Sequence, residues 1–196
     1  MRDGVVVDIG AFAGGFSGWA LRHGAERVIA FEPDPTNVEC LRRNYPDDVA
    51  AGRLTIVPRG LWDGPTSLPF TGHGDSTRVA ESGVEGDVTM DVIDLGSALA
   101  QLDVTRVTCI KMDAEGADLH IPSGAREVVA AHTPTMWLYV CYGEDDWRRM
   151  PQILDRQTRG RYRIFCRGLV KVQGRYRPAL QVSAPRRLIA ILCRTP

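Results

Sequence analysis

The chain lacks the features that mark several whole classes of protein. None of its five cysteines, Cys40, Cys109, Cys141, Cys166 and Cys193, forms a C-x-x-C pair, which argues against a zinc site or a disulfide framework. Cys109, Cys166 and Cys193 lie in apolar runs and read as core fillers. No apolar run approaches the roughly 18–20 residues of a membrane span. The opening MRDGVVVDIG lacks the charged-then-apolar order of a signal peptide, so a cytoplasmic protein without a membrane partner is expected. Lysine is nearly absent, with Lys111 and Lys171 the only two. Net charge is absent too, because 24 basic residues balance 24 acidic ones. The balance hides a polarity. From Arg148 onward twelve Arg and Lys171 face one acid, Asp155, so that quarter carries +12 and the remainder −12. A basic segment of this kind attracts phosphate or carboxylate groups, pairs with an acidic body, or faces water.

What is present is ordinary globular material. The chain has 196 residues, 44% hydrophobic and 24% charged, which suits one domain over 1–196. Apolar runs alternate with helical patterns. Val5 to Ile9 and Val28 to Phe31 read as buried parallel strands, each followed by a helix, from about Gly15 to His23 and from Pro35 to Asn44. Leu54 to Val57, Val107 to Met112 and Met136 to Val140 continue the sheet. Between them, Ser67 to Phe70 and Val88 to Val92 read as short strands around a Gly-rich loop, Thr71 to Gly86, expected to be mobile. The last third reads as Tyr162 to Cys166, Leu169 to Val172 and Leu188 to Leu192, a segment suited to an antiparallel edge. The fold class is therefore α/β, with a mostly parallel sheet and right-handed crossovers.

The chemistry starts at the first turn. VVVDIGAFAGGFS ends an apolar run in Asp8 and opens a Gly-rich turn; VIAFEPDP places Glu32 at the end of the next run, 24 residues later. This is the layout of a nucleotide site, in which the second acid accepts hydrogen bonds from ribose hydroxyls. The turn is not G-x-G-x-x-G, however, because Phe12 stands where the second glycine would let a pyrophosphate approach. Asp8 would also repel a pyrophosphate. An acid there suits a ligand carrying a positive group, such as the ammonium and sulfonium of S-adenosylmethionine. Farther on, IKMDAEG alternates Lys111, Asp113 and Glu115, which a continuing strand would point to one side. Two carboxylates can hold Mg²⁺, with Asp118 and Glu144 as the nearest further candidates, but no metal is expected.

Taken together, VVVDIGAFAGGFS, VIAFEPDPTNVECLRRN, GLWDGPTSLPF and IKMDAEGAD resemble the FkbM-type S-adenosylmethionine-dependent methyltransferases. The resemblance is clear from Val5 to Gly124 and weaker to Gln157. It implies a class I, Rossmann-like methyltransferase fold: a seven-stranded sheet, helices on both faces and an antiparallel C-terminal edge. It implies methyl transfer to an oxygen, often on a sugar or secondary metabolite, with S-adenosylhomocysteine as product. Asp8 and Gly10 would line the methionine part of the cofactor, and Ala11, Phe12 and Ser17 would also bind the cofactor. Glu32 would hold the ribose, Pro33 and Asp34 would flank the adenosine, and Gly60, Leu61 and Trp62 would lie beside the adenine. Asp113 would sit nearest the sulfonium and the acceptor, Glu115 would position the acceptor, and Lys111 would neutralise these acids or touch an acceptor oxygen. The family commonly carries a tyrosine–histidine pair after the fifth strand; here VCYGEDDW offers Tyr142 and no histidine, so Tyr142, Asp113 or Glu115 would serve as base. His73 and His120 are lone histidines with weaker claims. With the first strand starting at Val5, the pocket is expected to be open, or closed by the Thr71 to Gly86 loop, the basic segment or the partner of a homodimer. The acceptor is expected to be a small molecule, anionic or a sugar. The competing readings are an RNA methyltransferase, suggested by the basic segment, and a cofactor-binding protein without catalysis.

Overall fold

The computed structural model describes residues 4–80, 83–140, 146–159, 163–172, 175–182 and 188–193, with side chains described up to residue 159 apart from 75 and 140–148. In chain order the elements are β1 (Val5–Ile9), α1 (Gly15–Arg22), β2 (Arg27–Phe31), α2 (Pro35–Asn44), α3 (Pro46–Ala50), β3 (Leu54–Val57), β4 (Gly60–Leu61), β5 (Thr66–Thr71), β6 (Arg78–Val79), β7 (Val88–Ile93), α4 (Leu95–Gln101), β8 (Val107–Met112), α5 (Ile121–Gly124), α6 (Arg126–His132), β9 (Thr135–Val140), α7 (Asp146–Thr158), β10 (Arg163–Val172), β11 (Arg175–Val182) and β12 (Leu188–Cys193). A 3-10 turn, Gly74–Ser76, precedes β6.

The main sheet runs β11-β10-β12-β9-β8-β1-β2-β3. The five strands from β9 to β3 are mutually parallel. β12 pairs parallel with both β9 and β10, and β10 pairs antiparallel with β11. Among the described residues the sheet thus has eight strands where seven were expected. β11 escapes sequence reading because Arg175, Arg177 and Pro178 interrupt its apolar pattern, and the two short strands expected before it are one strand, β10.

Strand alternation sends β1 into two cores. Val7 and Ile9 pack with Leu95, Leu99, Ile121, Val128, Val129 and Leu154, the face of α4 to α7. Val6 packs with Ala20, Leu21, Val28, Leu41 and Cys109, the face of α1 and α2. Helices therefore cover both faces, and β1 is apolar throughout except at Asp8. Burial pushes the Cys109 thiol up to about 11, so it stays protonated and inert at neutral pH, as a core filler should.

The helices that frame the site start at well-made caps. Pro35 opens α2, and the Asp34 carboxylate accepts the N–H groups of Thr36 at 2.8 Å and Asn37 at 3.0 Å. Asp94 caps α4 by accepting the Ser97 N–H at 2.8 Å.

A second sheet, β4-β7-β5-β6, is built from the chain between β3 and α4. It contains part of the segment expected to be a mobile loop. β6 pairs with β5 through Phe70↔Val79 and Thr71↔Arg78, and the Val79 N–H donates to the Glu115 carbonyl at 3.3 Å. Among the described residues no helix is long and apolar enough to cross a membrane.

Candidate functional site

The carboxyl ends of β1, β2 and β8 meet around a cavity of about 220 Å³. Ligands in open α/β sheets bind at such ends, where the backbone turns away and leaves N–H groups and side chains unpaired by the ladder. Of the residues expected from sequence, Gly10, Phe12, Glu32, Pro33, Gly60, Leu61, Asp113 and Glu115 line this cavity. Asn37, Arg59, Phe70, Gly74, Thr77 and Val79 line it too and were not anticipated. Asn37 and Phe70 lie within the segments VIAFEPDPTNVECLRRN and GLWDGPTSLPF, but nothing local singles them out; the tertiary fold brings all six there.

Gly10 makes the turn. Its φ is +69°, and a Cβ built on it would lie 1.8 Å from the Asp113 carbonyl oxygen. The Asp113 N–H donates to the Ile9 carbonyl at 3.0 Å, so the β1 and β8 ends are held backbone to backbone. Only glycine combines that φ with that approach. Gly10→Ala is expected to displace the Asp113 segment, with a loss of stability of about 2 kcal/mol or more and loss of ligand binding at the cavity. Chemical denaturation checks the first effect and calorimetry the second.

Glu32 is the buried acid of the cavity, 4% exposed. One carboxylate oxygen accepts the Phe12 N–H at 2.8 Å; the other accepts the Asp34 N–H at 3.0 Å and the Asn37 amide at 3.2 Å. A carboxylate offers about four acceptor positions, so these three donors leave room for a ligand hydroxyl. Burial pushes its carboxyl above the usual range, and the donors from Asp34, Phe12 and Asn37 recover only part of the loss. Asp34 goes the other way. Burial opposes its charge, but hydrogen bonds from Asn37, Thr77, Gly74 and Thr36 outweigh it and hold its carboxyl below the usual range. Asp34 is thus fixed by its cap and by the Gly74–Thr77 strap, with Thr77 Oγ1 at 3.0 Å and Gly74 N at 3.3 Å. Asn37 also donates to the Gly74 carbonyl at 2.8 Å. The strap therefore closes one wall of the cavity from the α2 start to Glu115.

Asp8 has a different surrounding from the one expected. It is fully buried, is not part of the cavity lining, and accepts the Ser17 hydroxyl at 2.6 Å. Its other oxygen faces the Lys111 ammonium at 3.1 Å, in agreement with the β1–β8 register that pairs the two residues. Lys111 also donates to the carbonyls of Gly10 at 2.6 Å and Ile9 at 3.2 Å. Lys111 therefore braces the first turn from behind. The strand alternation expected for Lys111, Asp113 and Glu115 does not hold, because β8 ends at Met112, before the two acids. Only the two acids reach the cavity lining.

Ala11 and Asp34 are buried next to the cavity without lining it. Trp62 also lies outside the lining; its ring stacks on His120 with centroids 3.7 Å apart, and His120 Nδ1 is 3.2 Å from Asp63. His73 caps the 3-10 turn of the strap. Tyr142 and Glu144 lie outside the described residues. Among the described residues no cluster of three or more His, Cys, Asp or Glu is placed to hold a metal ion.

Residues 8–164 match the family model described as the methyltransferase FkbM domain. Among solved structures, the chain is similar to methyltransferase FkbM from Methylobacillus flagellatus at 26% identity and a TM-score of 0.52, over 69% of this chain and 33% of that one. The chain thus spans about a third of that protein's length. It is also similar to a proposed RNA methyltransferase from Pyrococcus horikoshii at 18% identity and a TM-score of 0.42, over 90% of this chain and 70% of that one. No match is found among curated proteins.

Proposed function

The chain belongs to the methyltransferase FkbM family, and on that premise we propose that it transfers a methyl group from S-adenosylmethionine to a hydroxyl oxygen of a small acceptor, a sugar or secondary metabolite. The observation that supports this most is the shared cavity, which brings Gly10 and Glu32 onto the same lining as Asp113 and Glu115. Cofactor and acceptor groups thus converge at the sheet's carboxyl ends.

When bound, S-adenosylmethionine supplies a methyl carbon activated by its sulfonium. The protein's part is alignment, worth several kcal/mol when two reactants are held together. Glu32 takes a ribose hydroxyl with its remaining acceptor position. The Gly10 turn lets the methionine portion approach the backbone. Asp113 and Glu115 orient the acceptor hydroxyl, and a carboxylate there accepts its proton as the oxygen attacks. Lys111 and Asp8 act from behind, by fixing the turn.

The test pairs calorimetry with a transfer assay. S-adenosylhomocysteine is expected to bind one per chain. Methyl-labelled S-adenosylmethionine is expected to label an acceptor from a panel of sugars, phenols and carboxylates, followed by mass spectrometry. Absence of S-adenosylhomocysteine binding would overturn the proposal. Binding without transfer to any acceptor would favour a cofactor-binding protein without catalysis.

A further inference from the structure

Phe12 occupies a backbone position that disfavours it. Its φ is +50°, in the left-handed region, between Gly10 at +69° and Gly14 at +90°. The glycines adopt this conformation freely; a bulky side chain does so only under strain. The side chain belongs to neither core cluster, and Phe12 is 47% exposed. Asparagine or glycine would relieve the backbone, and any polar residue would remove exposed apolar surface, so folding alone gives no reason for phenylalanine. Strained residues of this kind concentrate where ligands are held. Phe12 lines the cavity, and its N–H donates to Glu32 at 2.8 Å. It therefore touches the acid assigned to the ribose from within the turn assigned to the methionine portion. In the covalent structure of S-adenosylmethionine, the sulfonium is the atom that joins those two portions.

We propose that Phe12 is a specificity residue that favours the sulfonium form of the cofactor over its neutral product by presenting an aromatic face to the positive charge. This rests on the cofactor reading above. A cation against an aromatic face gains roughly two- to thirtyfold in affinity, whereas a neutral thioether makes a weaker sulfur–aromatic contact. The consequence is discrimination at release. Once the methyl has left, the charge is gone, the attraction falls, and the product dissociates in favour of fresh cofactor. Phe12 thus limits product inhibition.

The test measures the affinities of S-adenosylmethionine and S-adenosylhomocysteine for the wild type, Phe12→Tyr, Phe12→Leu and Phe12→Asn by calorimetry, with the melting temperature of each. The preference for the sulfonium ligand is expected to fall roughly two- to thirtyfold in Phe12→Leu and Phe12→Asn, mainly through weaker S-adenosylmethionine binding, and to persist in Phe12→Tyr. Phe12→Asn is expected to melt higher than the wild type, since asparagine tolerates the left-handed backbone. An unchanged preference in Phe12→Leu and Phe12→Asn, with both ligands weakened equally, would overturn the proposal and leave the cofactor site standing. A wild type that binds neither ligand would overturn both.

Discussion

Lys111→Met is expected to lower the melting temperature by roughly 6–20 °C, the equivalent of about 3–5 kcal/mol. The reason lies in what remains after the change. Asp8 is fully buried, and its other partner among the described residues is the Ser17 hydroxyl at 2.6 Å. With the ammonium gone, the buried carboxylate loses the charge that offsets its desolvation, which destabilises the fold. The carbonyls of Ile9 and Gly10 lose a donor as well. The double variant Asp8→Asn, Lys111→Met is expected to recover part of the loss, because removing the second charge removes its desolvation cost. Thermal unfolding of the three variants checks this. A side chain acting chiefly on the acceptor would behave otherwise: Lys111→Met would keep the wild-type melting temperature and lose only turnover.

Glu32→Gln is expected to weaken S-adenosylhomocysteine binding about tenfold to a hundredfold at neutral pH, the worth of hydrogen bonds to a charged acceptor. The amide cannot accept at both ends, so it loses a ligand hydroxyl or turns its NH₂ toward the N–H of Phe12 or Asp34. The wild type also carries a pH signature. Burial holds the free Glu32 carboxyl above its ordinary 4.5. Its contribution to folding stability is therefore complete below 4.5 and lost as pH rises through the raised value. Ribose hydroxyls donating to the ionised form act in the opposite sense and pull the value down on binding. Affinity is thus expected to be full at neutral pH and to decline as pH falls through the raised value, while Glu32→Gln shows no such decline. Calorimetry across that range, with circular dichroism to confirm the fold, separates the two. Equal affinities for both proteins at neutral pH would remove Glu32 from the site.

The sequence was informative where one residue's surroundings are set by its neighbours. Continuous apolar runs marked β1, β2 and β8, because strands covered on both faces need no polar side. Pro35 and Asp34 marked the start of α2, since a cap is local chemistry. The direction of Asp8 was another matter. The residue types suggested an acid facing a cationic ligand, but strand alternation turns Asp8 toward α1, where Ser17 and Lys111 hold it. That arrangement depends on pairing β1 with a strand about a hundred residues away, which no local pattern specifies. The strap from Gly72 to Val79 was hidden for a related reason. Its glycines and polar residues read as a mobile loop, yet its hydrogen bonds go to Asp34, Asn37 and Glu115, all distant in sequence. Asp113 and Glu115 reached the cavity as expected, though by a turn after β8 and not by strand alternation.

The central claim is that the crevice between β1 and β2 holds S-adenosylmethionine with its ribose on Glu32. A crystal structure of the chain with S-adenosylhomocysteine tests it most directly. The expected result is ribose hydroxyls within hydrogen-bonding distance of the Glu32 carboxylate and the methionine portion against the Gly10 turn. Ligand bound elsewhere, or a crevice left empty at saturating ligand, would contradict the account.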